Sequence, residues 1–213
     1  MVQRNWFYGL IIGCFGLASM AHAESTVNEA MAKLNQILGN PELHEASYQA
    51  GLERITFCAS CHGKDGNSKR DYIPNLAAQH PLYLFEQFEK FADGTREDYV
   101  MSRLAKILTL EDRINIAVYY SEQEARARQA DNAGQVEAGA EVFASVCTNC
   151  HGRAAEGFRN MPRLAGQPAE YVRNALNRFQ DMDPASSSSP MIGIASGLSE
   201  DDIAAVATYL QTL

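Results

Sequence analysis

Two stretches of the chain place reactive side chains at one spacing: Cys58-Ala-Ser-Cys61-His62 and Cys147-Thr-Asn-Cys150-His151. On a helical turn, cysteines at i and i+3 project to one side, and a histidine at i+4 follows on that side. Two thiols so placed can form thioethers to the vinyl groups of a haem while the adjacent imidazole reaches the iron. The motif therefore reads as c-type haem attachment, twice over.

Zinc sites and thioredoxin-like redox pairs also use C-x-x-C. A zinc module is usually closed by further cysteine or histidine ligands at short spacing. Apart from the motifs, and from His22 in the leader described below, the chain holds only His44 and His80, both in its first half. A thioredoxin-like pair belongs beside a βαβ pattern, and none is visible.

A histidine-bound haem iron has one axial position left, and what fills it separates electron transfer from bond chemistry. In the first half, Met101 is the methionine downstream of the motif, 39 residues past His62 (101 − 62). The second half offers Met161, Met182 and Met191, the last lying 40 residues past His151 (191 − 151). Met101 and Met191 each precede a leucine by seven residues, Leu108 and Leu198, so internal symmetry selects this pair and keeps Met182 as runner-up. Any methionine is otherwise core filler. His80 is the rival ligand in the first half; its counterpart is Pro168, and a histidine beginning a helix beside Pro81 reads as a solvated or capping residue. His44 reads as surface.

The elements that position these residues repeat as well. Ile73-Pro74-Asn75-Leu76-Ala77-Ala78-Gln79 answers Met161-Pro162-Arg163-Leu164-Ala165-Gly166-Gln167 at an offset of 88, and an aromatic-rich helix follows each. Leu108-Thr109-Leu110-Glu111-Asp112 answers Leu198-Ser199-Glu200-Asp201-Asp202 at an offset of 90, with Thr109 and Ser199 as N-caps. Strand alternation is nearly absent, so the expected fold class is all-α. The organisation expected is a signal peptide at 1–23, a helical extension at 24–45, a first domain at 46–122, a linker at 123–135 and a second domain at 136–213. Within the extension, the apolar stripe predicts a helix from Ser25 to Leu38, with Thr26 and Glu29 in capping-box relation. It reads as packing on the first domain more readily than as a docking element.

The leader has one basic residue, Arg4, then an apolar run and Ala21-His22-Ala23 as a cleavage site. The run from Trp6 to Met20 is short of the roughly 20 residues a membrane span needs; processing at Cys14 is a weaker alternative. Cutting after Ala23 leaves four cysteines, all in the haem motifs, and 17 basic against 26 acidic residues, a net charge of 17 − 26 = −9. That balance argues against nucleic acid or anionic lipid as partner and for docking on basic protein surfaces.

With both haem motifs, both proline loops and the paired methionines in place, the chain resembles the di-haem cytochrome c4 family, periplasmic proteins made of two tandem class I cytochrome c domains. The resemblance implies two covalently bound haem c groups, pseudo-twofold symmetry and axial pairs His62/Met101 and His151/Met191. It further implies that the Pro74 and Pro162 carbonyls accept hydrogen bonds from the proximal imidazoles, and that electrons pass from a quinol-oxidising complex to a terminal oxidase in the periplasm. Peripheral association with the inner membrane stays open. Gly139 and Phe143 fit the leading helix of such a domain, whereas the aligned places in the first half are Ala50 and Arg54, with Gly51 one step off. The rival functions are a haem subunit of a periplasmic dehydrogenase and a di-haem enzyme with one reactive haem. The chain is expected to be an electron-transfer protein and no enzyme.

Overall fold

Every regular element among the described residues is helical, as the missing strand alternation predicts. The computed structural model describes residues 15–185 and 187–213, with side chains described from residue 26. In the first half, α1 (Phe15–Leu38), α2 (Pro41–Arg54), α3 (Thr56–His62), α4 (Pro81–Asp93), α5 (Met101–Ile107) and α6 (Leu110–Ser121) follow in order. The second half opens on a 3₁₀ turn and runs through α7 (Val136–Val142), a π-helical turn (Phe143–Cys147), α8 (Thr148–His151), α9 (Ala169–Asp181), α10 (Met191–Ala195) and α11 (Glu200–Gln211).

Each half is organised by one close helix crossing. A Cβ on Gly51 of α2 would lie 2.2 Å from the Asn115 carbonyl oxygen of α6, and one on Gly139 of α7 would lie 2.1 Å from the Ala205 carbonyl oxygen of α11. Only glycine lets these backbones meet, and Tyr119 and Tyr209 pack over the two crossings in the same way. Gly51 and Ile55, not Ala50 and Arg54, are thus the structural counterparts of Gly139 and Phe143; Ile55 and Phe143 are both buried. The register of 88 at the crossing becomes 89 at the haem motifs because the second half holds one extra residue, accommodated by its π turn.

The closing helices start as the sequence predicts. Thr109 and Ser199 accept from the backbones of Asp112 and Asp202, whose carboxylates accept in return from the cap backbones, a capping box in each half.

Helix α1 begins ten residues before Ser25, so Thr26 lies inside it and the expected capping box does not start it. It ends at Gly39, and Asn40 caps α2 by accepting from Glu42 and Leu43, with Pro41 at the first helical position. Ala30 and Leu34 of α1 are buried against Phe85, Ile114 and Val118 of the first half. The expected signal peptide, residues 1–23, falls largely outside the described residues, as does Cys14. Among the described residues no helix is long and apolar enough to cross a membrane.

The polar segment between the halves is strapped to both. Arg128 donates its backbone N–H to the Gln211 carbonyl at 2.6 Å, and its guanidinium bonds Asp71 at 2.7 Å and the Ser68 carbonyl. Asn67 accepts from the Arg126 N–H and donates to the Glu124 carbonyl.

Candidate functional site

The first motif lies on α3, which ends at Gly63; in the second, Cys147 closes the π turn and Cys150 and His151 lie on α8. Cys58, Cys61 and Cys147 are half-buried and Cys150 is exposed. The imidazoles are buried, His62 to 8 % and His151 to 6 % exposure.

Each histidine has one ring nitrogen engaged. His62 Nδ1 donates to the Pro74 carbonyl at 2.9 Å and His151 Nδ1 to the Pro162 carbonyl at 3.0 Å. A carbonyl can only accept, so the proton sits on Nδ1 and Nε2 keeps its lone pair for a metal. Burial pushes both imidazoles below the usual histidine range, and the carbonyl bonds oppose this without cancelling it. Neutral imidazole is the form that ligates iron.

The first thiol of each motif stands in a partly apolar setting. Burial pushes Cys58 up, and burial followed by the neighbouring Cys150 pushes Cys147 up to about 11. Among the described residues no three His, Cys, Asp or Glu side chains are grouped to hold a metal ion. The set instead fits a prosthetic group that brings its own equatorial ligands and takes two thioether links and one imidazole from the chain.

Met101 begins α5 and Met191 begins α10. Met101 and Cys58 pack against the core of the first half, Met191 and Cys147 against that of the second. Met182 follows the end of α9 and lines an open surface groove with Gln180, Pro184 and Ile192. Met161 lies beside the proline loop and pairs its backbone with Phe158. His80 stands at the N-cap of α4, as its place beside Pro81 suggests, but its side chain makes no cap bond; at the surface its Nε2 lies 2.9 Å from the Glu156 carbonyl of the other half. His44 pairs with Glu122 at 3.3 Å on the first half.

Comparison with known proteins identifies the family. The Cytochrome c family profile matches residues 136–213, the second half. Cytochrome c4 of Pseudomonas aeruginosa is 32% identical over 201 residues, covering 88% of this chain and all of that one.

The chain belongs to the di-haem cytochrome c4 family.

Reduced recombinant cytochrome c4 from Pseudomonas stutzeri has the same fold, with a TM-score of 0.72 at 29% identity over 78% of this chain and 97% of that one. A thiosulfate dehydrogenase electron acceptor of Thiomonas intermedia is 34% identical over 149 residues, covering 64% of this chain and 68% of that one. As a cytochrome c4 relative, the protein consists of two tandem class I cytochrome c domains and carries two covalently bound haem c groups. It is a di-haem electron carrier.

What sequence reasoning missed lies where the cytochrome c4 halves meet. The Tyr171 N–H donates to the Asp71 carbonyl at 2.8 Å, and the Arg96 guanidinium reaches the Tyr171 hydroxyl at 3.2 Å. Desolvation pushes the Tyr83 phenol up to about 12, the nearby Tyr171 adding to it. Tyr83 of α4 and Tyr171 of α9 stand at the offset of 88 that relates the two proline loops, and that repetition was the available signal.

Proposed function

We propose that the protein is a periplasmic shuttle whose two haems are both six-coordinate, one with His62 and Met101 as axial ligands and the other with His151 and Met191. Cys58 and Cys61, and Cys147 and Cys150, hold the thioether links. The observation that carries this reading is the duplicated setting: in each half a buried histidine bonds a proline carbonyl through Nδ1, and a methionine begins a short helix on the same core as the first motif cysteine.

Haem c held this way supplies a one-electron ferric/ferrous couple, and thioether ligation places it toward the upper end of the roughly 0.8 V that axial ligands span. The histidines orient the ring plane, the proline carbonyls fix their tautomer, and the methionines close the position at which a substrate would bind. No bond chemistry is assigned to the chain. The redox partners of this reading are a quinol-oxidising complex and a terminal oxidase, met through an acidic surface. Cleavage after Ala23 leaves residues 24–45 as an extension of the first domain (46–122), joined through 123–135 to the second (136–213).

A ferric sample should show the methionine-to-iron charge-transfer band at an intensity for two haems. Cyanide and carbon monoxide should bind neither haem rapidly without denaturant. A missing band, or rapid ligand binding at one haem, contradicts the shuttle.

A second reading, service to a periplasmic dehydrogenase, draws on the resemblance to the thiosulfate dehydrogenase electron acceptor. Co-purification of the native protein with a dehydrogenase chain would favour it over free diffusion between respiratory complexes.

A further inference from the structure

The peptide groups that follow Pro74 and Pro162 are gripped at both ends. The Pro74 carbonyl accepts from His62 Nδ1 at 2.9 Å, while the N–H of the same peptide group, on Asn75, donates to Gln167 Oε1 at 3.0 Å. Gln167 Nε2 then donates to the Asn75 carbonyl at 2.8 Å. The mirror arrangement joins His151 Nδ1 to the Pro162 carbonyl at 3.0 Å, the Arg163 N–H to Gln79 Oε1 at 2.8 Å, and Gln79 Nε2 to the Arg163 carbonyl at 2.9 Å. Both glutamines are 4 % exposed. Each proximal imidazole is therefore one peptide group away from a buried side chain of the opposite half.

We propose that Gln167 and Gln79 are positioning residues that tune the opposite half's axial imidazole, Gln167 acting on His62 and Gln79 on His151, so that each haem potential depends on the domain interface. The inference rests on the proposed axial roles of His62 and His151. An amide is conjugated, so an acceptor drawing on its N–H shifts electron density toward its carbonyl oxygen. A more negative carbonyl draws harder on the Nδ1 proton, and the imidazole donates more through Nε2. Stronger donation favours ferric iron and lowers the potential; exclusion of water strengthens each link. Asn75 has a further bond to the second half, from Nδ2 to the Gly166 carbonyl at 2.8 Å, which holds the peptide in place without touching its N–H.

A glutamine that only fastens the halves together predicts something different, namely that its loss disturbs both haems alike or neither. The test uses the di-haem holoprotein, titrated so that the two haems are resolved, with ¹H NMR of the ferrous Nδ1–H resonances. Gln167→Leu should raise the potential of the His62 haem and move its Nδ1–H resonance upfield, leaving the His151 haem nearly unchanged; Gln79→Leu should do the reverse. Gln167→Glu and Gln79→Glu offer the N–H a stronger acceptor and should move the same resonance downfield and lower the potential of that opposite-half haem, the reverse of the leucine variants. They carry the test alone if the leucine variants do not fold. Equal shifts at both haems, a shift in the glutamine's own half, or no shift overturns the inference. The proposed ligation is checked separately in the unmodified protein: loss of the methionine band there sinks the ligand assignment, whereas an intact band with unmoved potentials sinks only the role of the glutamines.

Discussion

The two halves agree where they face haem and disagree on one outer face. In the first half Leu82, Phe85, Leu110, Ile114 and Val118 pack with α1. Their counterparts, at offsets of 88 and then 90, are Glu170, Arg173, Glu200, Ala204 and Thr208. Arg173 reaches toward Asp131 at 3.8 Å and Thr208 bonds Gln135 at 3.5 Å, so on the second half the end of the interdomain segment meets this face. The frame around the two motifs repeats as a unit, whereas the outer surfaces differ with what covers them. Helix α1 belongs to the first half because only there is the underlying face apolar.

The shared frame should fail equally in both halves. Gly51→Ala and Gly139→Ala each drive a Cβ into a helix backbone, and each should destabilise its half by more than about 3 kcal/mol, the upper end for overpacking. Unfolding followed separately at the two haems should show the loss in the mutated half. Tolerance at one site alone would break the equivalence.

The differing face should respond on one side only. Leu34→Ala removes a buried side chain from the contact with Phe85, Ile114 and Val118, and about 2–3 kcal/mol should be lost from the first half. The second haem should unfold at its original denaturant midpoint.

The caps give a smaller, symmetric effect. Thr109→Ala should cost about 1 kcal/mol, with Ser199→Ala acting in the same direction on the second half. Burial would raise the Asp112 carboxyl, but hydrogen bonds from Thr109 and Arg54 outweigh it and hold it below the usual range; bonds from Ser199 do the same for Asp202. A depressed folded value means that the contribution is complete above the unfolded carboxylate value of roughly 4 and fades as pH falls through the folded value. Acid titration of unfolding should therefore lose its cap-dependent part below about pH 4, and the alanine variants should flatten that slope.

The smallest test concerns a reciprocal exchange in the proline loops. Gly66 and Ala155 each accept from the leucine and alanine of their loop, and Ala78 and Gly166 each donate to the closing helix of their own half. All four have positive φ, 53° and 55° at the two alanines. Ala155→Gly and Ala78→Gly should each stabilise by roughly 0.5 kcal/mol, the left-handed strain relieved less the added chain entropy. A lower melting temperature in either variant would show that the alanine methyl packs better than it strains.

Much of this was legible in the chain. Thr109 and Ser199 announced their helices because a capping box is local chemistry. Pro74 and Pro162 were placed through the resemblance, and the structure puts their carbonyls on the histidines. Gly51 was misaligned because sequence offsets count residues, whereas helices meet by surface, and a π turn absorbs one residue without changing the crossing. Helix α1 was started too late because apolar periodicity marks a buried stripe, which begins after the backbone has become helical. The interface glutamines were visible only as a repeated letter, since nothing local says that Gln79 and Gln167 each reach for the other half's backbone.

The central claim is that each half is a complete His/Met electron-transfer domain. The most direct measurement is a haem-resolved redox titration of Met101→His and Met191→His. Each variant should lower one potential by on the order of a few hundred millivolts, within the roughly 0.8 V that axial ligands command, and leave the other haem nearly alone. If Met191→His moves neither potential while Met182→His moves one, or if either substitution shifts both haems together, the account of two equivalent and separate domains is wrong.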